Sequence, residues 1–407
     1  MSASTDLAYQ CNPQVVNSAA PPIPLASQWA SLYSPTPDKP LLNLAQGVPG
    51  DPPPQAFLDR MAEAARDPAT TGYGDLRGDV GLRKELARDV SEVYGGKIRE
   101  EDVVLTAGCN LAFYSTMIAL CQAGDEVILP TPWYFNNEMV LRQLSISLVP
   151  LPCSPPSFLP SVATARSLVT PRTRAIILVS PNNPTGAIYP KELLREFAEL
   201  AKETGVALVL DETYREFVEG RPHALFAETE WRKYLVHLFS FSKSYAIPGH
   251  RLGAIITSPR LLTQINKTLD CLQICPARPA QRVVEWAVEG TRAWRNGVRE
   301  ELDNRQKVFR ELLEGVEGWK VETGAGYFAY VKHPFTGVSS ELVTKRLASK
   351  VGLIALPGSF FSPPFEQVND DSYIRFSIAN VSIEVLRQVP PRLEELNRIW
   401  STLSDEE

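Results

Sequence analysis

The chain has 407 residues, of which 44% are apolar and 22% are charged, and 41 basic and 47 acidic residues give a net charge of −6. This length allows a large buried core in two or three domains. The acidic balance provides no basic face for nucleic acid, so nucleic acid is excluded as the main partner. No apolar run approaches the ~20 residues that a membrane span requires, so membrane insertion is excluded as well.

The N-terminal part of the chain is rich in proline, with 11 of the 34 prolines in the first 54 residues. The tract Pro21-Pro22-Ile23-Pro24 is predicted not to form regular helix, because proline lacks an amide donor and disfavours helix in the residue before it. Residues 1–47 are therefore predicted to be an extended arm that contributes to a small domain.

Seven short runs rich in branched apolar residues follow. Several are expected to be strands buried on both faces. Helical spacing between them, as in residues 111–121 and 193–202, predicts an α/β fold with a mostly parallel seven-stranded sheet covered by helices. Residues 48–280 are predicted to form this large domain. The runs span residues 103–106, 127–129, 148–151, 175–179, 207–210, 235–239 and 253–257.

The pattern changes after about residue 275. A long amphipathic stretch at 281–313 is followed by an alternating stretch at 319–331, a helix near 340–349 and a last helix from 382 to about 403. Helices on a smaller, partly antiparallel sheet account for this order. Residues 281–407 are therefore predicted to form a smaller α+β domain.

The six cysteines are scattered along the sequence. The first thirty residues lack the basic start and the apolar run that are typical of a signal peptide, so none is predicted. A cytoplasmic location with reduced thiols is therefore predicted. Cys271 and Cys275 are spaced to share a helical face, but no second cysteine or histidine pair lies near them in the sequence. No metal site is predicted.

Three polar motifs follow runs of the predicted sheet. They are SPNNPTG at residues 180–186, DETY at 211–214, and SFSK at 240–243 with GHRLG at 249–253. An open parallel sheet binds ligands beyond the carboxyl ends of its strands. The motifs therefore predict a site that offers an amide, a carboxylate, a phenol, an amine and a guanidinium.

Each motif has an ordinary alternative when it is taken singly. Asp211 also fits the acidic strand end of a P-loop hydrolase, but the stretch at 95–97 lacks the first glycine and the Ser or Thr of that motif. Lys243 alone could be a surface lysine, and Asn183 a turn residue. In this order and spacing, however, the motifs resemble the fold type I pyridoxal phosphate enzymes, in particular class I and II aminotransferases, over about residues 40–400.

The resemblance implies pyridoxal 5'-phosphate as cofactor and assigns residues to its ring. Lys243 matches the lysine that binds the aldehyde and later acts as base. Asp211 matches the acid that pairs with the protonated ring nitrogen. Tyr214 and Asn183 match the donors to the phenolic oxygen of the ring.

The same resemblance assigns a phosphate site. Arg251 matches the phosphate arginine, and Ser240 matches its hydroxyl partner. Gly108, Cys109 and Asn110 lie between a predicted strand and helix, where free backbone amides form an anion site. Cys109 and Asn110 depart from the residues that are frequent at these positions, and for Cys109 both a reactive thiol and a packed side chain stay open.

Two further residues are assigned by likeness to the family. Tyr134 matches the aromatic residue that stacks on the cofactor, although a shift of one residue would place Trp133 there. Tyr73 matches a tyrosine that reaches the phosphate of the neighbouring subunit. This implies an obligate homodimer with a shared active site, in which the proline-rich arm crosses to the partner and delivers Gly47 to the site.

Substrate recognition is assigned to Arg375, with contacts from Gly47 and Asn183. A guanidinium binds an α-carboxylate through two parallel charge-assisted hydrogen bonds, and closure of the small domain over the site is expected. No extra arginine for a second carboxylate is evident, and four aromatic residues fall in segments that line the mouth of similar sites. An aromatic or bulky amino acid is therefore the predicted substrate, although these aromatics could equally be core. They are Tyr327, Phe328, Phe360 and Phe361.

Together these features predict an aminotransferase that moves an amino group from an L-amino acid to a 2-oxo acid. A carbon–sulfur lyase or an enzyme like aminocyclopropane carboxylate synthase is an alternative, because the outcome depends on how the substrate is held. A catalytically silent binding protein of the same fold is a remote alternative. The intact set of candidate residues argues against it, namely Lys243, Asp211, Asn183, Tyr214, Arg251 and Arg375.

Overall fold

The structure is a computed structural model that describes residues 9–363 and 371–403. After a short strand β1 (Leu42–Asn43), the chain forms a seven-stranded sheet. Its strands are β2 (Val103–Thr106), β3 (Glu126–Thr131), β4 (Ser147–Pro152), β5 (Thr173–Val179), β6 (Ala207–Asp211), β7 (Leu235–Ser240) and β8 (Gly253–Ile256).

The strands lie in the order β2-β8-β7-β6-β5-β3-β4. Strands β3 to β7 pair in parallel, whereas β8 runs antiparallel to both of its neighbours. The central strands β5, β6 and β7 are almost wholly buried, as their near-continuous apolar sequences require. The predicted strands and the α/β class are confirmed.

Helices cover both faces of this sheet, since the even-numbered and odd-numbered residues of β6 belong to two different apolar cores. Helix α10 packs on α3 and α4, on the same side as the core that includes Leu208 and Leu210. The helices from the N-terminus through this region are α1 (Pro13–Val16), α2 (Pro22–Ala30), α3 (Gln55–Arg66), α4 (Val80–Tyr94), α5 (Cys109–Leu120), α6 (Phe135–Gln143), α7 (Val162–Leu168), α8 (Lys191–Thr204), α9 (Pro259–Leu272) and α10 (Arg278–Gly290).

A second, four-stranded antiparallel sheet follows, in the order β12-β13-β10-β9. It has its own apolar core, to which residues of β1 and of the C-terminal helices contribute. Its strands are β9 (Lys320–Ala325), β10 (Phe328–Lys332), β12 (Leu356–Pro357) and β13 (Tyr373–Ser377), while β11 (Leu353–Ile354) pairs in parallel with β1. The helices of this part are α11 (Arg292–Glu314), α12 (Ser340–Val351), α13 (Ile383–Leu386) and α14 (Val389–Ile399).

The N-terminal region differs from its prediction. The proline tract begins helix α2, with Pro21 as the N-cap and Pro22 as the first helical residue, so the prediction that it cannot form helix is wrong. Prolines fit there because the first amides of a helix have no intrahelical acceptor. Ala26 and Trp29 of this helix pack against Ile354 and other residues near the second sheet. Residues 1–8 of the predicted arm lie outside the described part.

Two of the helices predicted in the C-terminal part each consist of two shorter helices in the structure. The amphipathic stretch at 281–313 forms the two helices α10 and α11, with Thr291 between them, and the last helix is interrupted between α13 and α14. The predicted domain limits at residues 47 and 280 stay a prediction. None of the described helices combines the length and the apolar sequence that crossing a bilayer would need.

Candidate active site

A cavity of about 240 Å³ lies at the carboxyl ends of β5, β6 and β7. Residues that precede α3, with Arg375 of the second sheet, also line it. Most of the predicted site residues line it, although they come from distant parts of the sequence. These residues are Gly47, Cys109, Asn110, Tyr134, Asn183, Asp211, Tyr214, Ser240, Lys243, Arg251 and Arg375.

Two predicted residues do not line the cavity of their own chain. Gly108 is the N-cap of α5, directly before the lining residue Cys109. Tyr73 is 80% exposed and lies away from the cavity. Its predicted contact with a partner subunit stays a prediction.

Lys243 follows β7, and its half-buried side chain points into the cavity. Its Nζ donates a hydrogen bond to the Gly47 carbonyl oxygen at 2.6 Å. Burial, with the positive charges of Arg375 and Arg251, lowers the pKa of Lys243 to about 8. A neutral amine is therefore accessible near physiological pH, as a nucleophile or a base requires.

Asp211 is the last residue of β6, and it is buried. Its Oδ1 accepts two hydrogen bonds from Thr213, one from the backbone amide at 2.9 Å and one from the hydroxyl at 2.7 Å. Burial raises the pKa of Asp211, while the bonds from Thr213 act against that rise. The second oxygen, Oδ2, remains available for a ligand that carries a proton or a positive charge.

Cys109 lies beside this carboxylate, with its Sγ 3.9 Å from Asp211 Oδ2. Burial and the charge of Asp211 raise the pKa of the Cys109 thiol well above its usual range. A protonated thiol is a poor nucleophile. The geometry therefore favours a packed side chain over a reactive one.

The start of α5 forms an anion site with Arg251. Gly108 has φ +86°, and a Cβ built on it would lie 2.2 Å from Nη2 of Arg251, so only glycine permits this approach. A Cβ on Gly253 would lie 2.7 Å from the amide nitrogen of Cys109, which shows how closely β8 packs beneath the helix start. Free amides, the helix dipole and a guanidinium together suit a phosphate.

Arg375 lies in β13 and is buried. Its guanidinium donates to Asn183 Oδ1 at 2.9 Å and to the Ala45 carbonyl, and it lies between the rings of Phe328 and Phe361, at 4.6 and 4.9 Å from their centroids. Its Nε has no hydrogen-bond partner, and no carboxylate among the described residues pairs with it. Burial lowers the pKa of Arg375 to about 10. An anionic ligand would satisfy this group.

The structure separates the two neighbouring aromatic candidates. Trp133 is buried in the core beneath the sheet, and its amide donates to the Phe361 carbonyl at 2.7 Å. Tyr134 lines the cavity, and burial raises the pKa of its phenol to about 12. Tyr134 is therefore the residue positioned to contact a bound ring.

Some lining residues were not among the predicted ones. Thr213 and Ser242 lie inside the DETY and SFSK motifs, and the spacing of Asp211 and Thr213 is typical of a turn in which an aspartate accepts from the amide two residues on. Ile23 comes from α2, a helix that the sequence did not predict. Val48 and Phe135 neighbour predicted residues and complete the apolar wall.

These groups fit pyridoxal 5'-phosphate. The amine of Lys243, the free oxygen of Asp211, the anion site at Gly108 and the unpaired guanidinium of Arg375 correspond to the aldehyde, ring nitrogen, phosphate and substrate carboxylate that must be held. Fold and cavity together define a fold type I pyridoxal phosphate enzyme.

Comparison with known proteins identifies the family. The profile described as aminotransferase class I and II matches residues 39–393, and the chain belongs to this family. An aromatic aminotransferase of Arabidopsis thaliana is 30% identical over 363 residues, covering 87% of this chain and 89% of that protein. An aspartate aminotransferase of Thermotoga maritima is 28% identical, covering 87% and 91%.

The solved structures agree with this fold. The substrate-bound transaminase BacF of Bacillus subtilis superposes with a TM-score of 0.86 at 23% identity, covering 96% of this chain and 98% of that one. The protein is a pyridoxal phosphate-dependent aminotransferase, and its family acts on amino acids and 2-oxo acids.

Proposed function

We propose that the enzyme prefers an aromatic or other bulky neutral amino acid, whose carboxylate binds Arg375. The observation that carries the carboxylate contact is the buried guanidinium of Arg375, which has no carboxylate partner among the described residues, whereas the preference for a bulky neutral side chain rests on the apolar cavity wall. A guanidinium in an apolar setting binds a carboxylate strongly, with about 1.5 to 3 kcal/mol for each charged hydrogen bond.

The composition of the cavity wall supports a neutral side chain. The cations among the described lining residues are Lys243, Arg251 and Arg375, and each has a proposed role other than binding a second carboxylate. Ile23 and Phe135 add apolar surface, with Val48 beside them. The Arabidopsis relative that is named an aromatic aminotransferase points in the same direction.

Bound pyridoxal phosphate supplies an electron-withdrawing ring that stabilises negative charge at the substrate Cα. Asp211 would hold the proton on the ring nitrogen through its free Oδ2. Asn183 and Tyr214 would donate to the phenolic oxygen, and Tyr134 would stack on the ring. The phosphate would be held by Arg251 together with Ser240 and the amides of Gly108, Cys109 and Asn110.

Lys243 would move the proton that defines the reaction. Its amine would take the proton from the substrate Cα and return it at the aldehyde carbon of the cofactor. The lowered pKa of Lys243 makes the neutral amine available, and the Gly47 carbonyl 2.6 Å away orients it. Arg375 keeps the substrate Cα within reach of this amine.

We also infer a homodimer with a shared active site, acting in the cytoplasm. The exposed Tyr73 supports a partner contact, as do the exposed apolar side chains of Val15, Val16 and Leu32 in the N-terminal region. All six cysteines are free thiols, which supports a reducing compartment.

The direct test loads the enzyme with pyridoxal phosphate and mixes it with single amino acids. Conversion to the pyridoxamine form reports transamination and identifies the donor. We expect phenylalanine, tyrosine, tryptophan and leucine to convert the enzyme faster than aspartate and glutamate. Faster conversion by the acidic amino acids would contradict the proposed preference, and pyruvate or ammonia release without conversion would show a lyase.

A further inference from the structure

The carboxylate of Asp211 is held in one orientation by one neighbouring residue. The backbone amide and the hydroxyl of Thr213 both donate to Oδ1, at 2.9 and 2.7 Å. Among the described residues, the hydrogen bond that Oδ2 accepts is the long, weak one from the Cys109 thiol at 3.9 Å, and this thiol lies 4.0 Å from Oδ1. Both Asp211 and Thr213 line the cavity. Thr213 therefore decides which oxygen is left for a ligand.

We propose that Thr213 is a positioning residue, which fixes Asp211 so that Oδ2 meets the protonated ring nitrogen of pyridoxal phosphate and thereby makes the enzyme select a cofactor that has this nitrogen. The proposal rests on the proposed role of Asp211 at the ring. Thr213 itself acts through Asp211 and takes no part in proton transfer.

The surroundings of Asp211 explain why such a residue is needed. Burial disfavours the charged form of Asp211, and a second buried carboxylate, Glu212, follows directly in the chain. Two adjacent buried anions repel each other. The two carboxylates differ in how many hydrogen-bond donors stabilise their charge.

Glu212 has three donors of its own on the opposite face of the sheet. Its Oε2 accepts from the Tyr94 hydroxyl, from His237 Nε2 at 2.8 Å and from His223 Nε2 at 3.2 Å. The Nδ1 of His223 accepts from the Leu225 amide, which places the proton on Nε2. Glu212 is thus stabilised as an anion without help from Asp211.

Asp211 depends on Thr213 by comparison. The thiol of Cys109 is a weak donor and lies too far away to replace an O–H bond at 2.7 Å. The backbone amide of Thr213 donates whatever the side chain is, so the hydroxyl is the contribution that this residue type adds. Valine has nearly the same shape and lacks that hydroxyl, whereas serine keeps it.

The test compares Thr213→Val with Thr213→Ser. Each apoprotein is titrated with pyridoxal phosphate and with 1-deazapyridoxal 5'-phosphate, in which a C–H replaces the ring nitrogen. We expect the wild-type enzyme to bind the natural cofactor more tightly than the analogue. Loss of one hydrogen bond to a charged group should reduce this preference roughly tenfold in Thr213→Val, while Thr213→Ser should keep most of it.

The ratio of the two affinities separates this role from a merely structural one. A general disturbance of the site weakens both ligands alike and leaves the ratio unchanged, and that result in Thr213→Val would overturn the proposal. If the wild-type enzyme itself shows no preference, the proposed role of Asp211 fails instead. Should Thr213→Val not fold, Thr213→Ala is measured in the same way, with the same expected loss of preference.

Discussion

Two buried arginines of this enzyme differ in what balances their charge. Arg215 and Arg375 are 3% and 2% exposed. Arg215 forms an ion pair with the equally buried Asp89. Burial alone would lower the pKa of Arg215, but the charge of Asp89 raises it above its usual value. For Arg375 the described chain provides no carboxylate, and burial lowers its pKa to about 10.

The difference separates a structural cation from a binding one. Burying an unpaired charge is costly, so a protein that keeps one must gain from it elsewhere. Lys243 resembles Arg375, because among the described residues its Nζ donates to a neutral carbonyl and pairs with no carboxylate, and its pKa is lowered as well. Lys243 and Arg375 both line the cavity, whereas the ion-paired Arg215 does not.

The largest effect is expected for Lys243→Ala. This variant removes both the amine that binds the aldehyde and the proposed base, so turnover should fall by about 10,000-fold or more. The visible absorbance of the lysine-bound cofactor should disappear too. Steady-state kinetics and an absorbance spectrum check both effects. Activity near that of the wild-type enzyme would refute the assignment of the site.

Replacing each arginine with methionine tests directly whether one is a binding residue and the other a structural one. In Arg375→Met, loss of two charged hydrogen bonds should lower kcat/KM by about 100-fold or more. The free energy of unfolding should change by less than about 1 kcal/mol, because an unpaired buried charge is replaced by an apolar side chain.

Arg215→Met is the matched control and should behave in the opposite way. Among the described residues it leaves Asp89 buried with the more distant Arg292 as its remaining ion-pair partner, so the free energy of unfolding should fall by about 3 kcal/mol. Its kcat/KM should fall less than that of Arg375→Met. Denaturant unfolding and steady-state kinetics are measured for both variants. A large loss of stability in Arg375→Met together with a larger loss of kcat/KM in Arg215→Met would contradict the comparison.

The pH dependence of cofactor capture tests whether the positive charge of Arg375 lowers the pKa of Lys243. Below pH 8 Lys243 is mainly protonated, so the rate at which apoenzyme captures pyridoxal phosphate should rise about tenfold per pH unit and level off above about pH 8. Arg375→Met removes a nearby positive charge, so its midpoint should move to higher pH. Stopped-flow absorbance measures the rate, and a midpoint near 10.5 in the wild-type enzyme would contradict the lowered pKa.

The smallest effect is expected at the phosphate end. In Gly108→Ala the new Cβ would displace the Arg251 guanidinium, and the affinity for pyridoxal phosphate should fall about tenfold. Gly124→Ala is the control, because Gly124 has nearly the same φ of +87° with nothing within 4 Å of its Cβ. It should lower stability through strain at a positive φ and leave the affinity unchanged. Equal affinities in the two variants would exclude the contact with Arg251.

Much of this site could be predicted because the sheet positions it. Strands β5, β6 and β7 have near-continuous apolar sequences, and polar motifs follow their ends. The place of Asp211 and Lys243 in the site could therefore be predicted from the sequence. The role of Thr213 was not, because a hydrogen-bond partner depends on backbone geometry that DETY alone does not specify. Ile23 was missed because the rule that proline breaks helices fails in a first turn.

The central claim is that the charge of Arg375 is balanced by the carboxylate of a ligand. The most direct measurement is calorimetric binding of the desamino analogue of the best amino donor, compared with the corresponding alcohol, to the cofactor-loaded enzyme. The wild-type and Arg215→Met enzymes should bind the carboxylate more tightly than the alcohol, and Arg375→Met should show no such preference. An unchanged preference for the carboxylate in Arg375→Met would contradict the account.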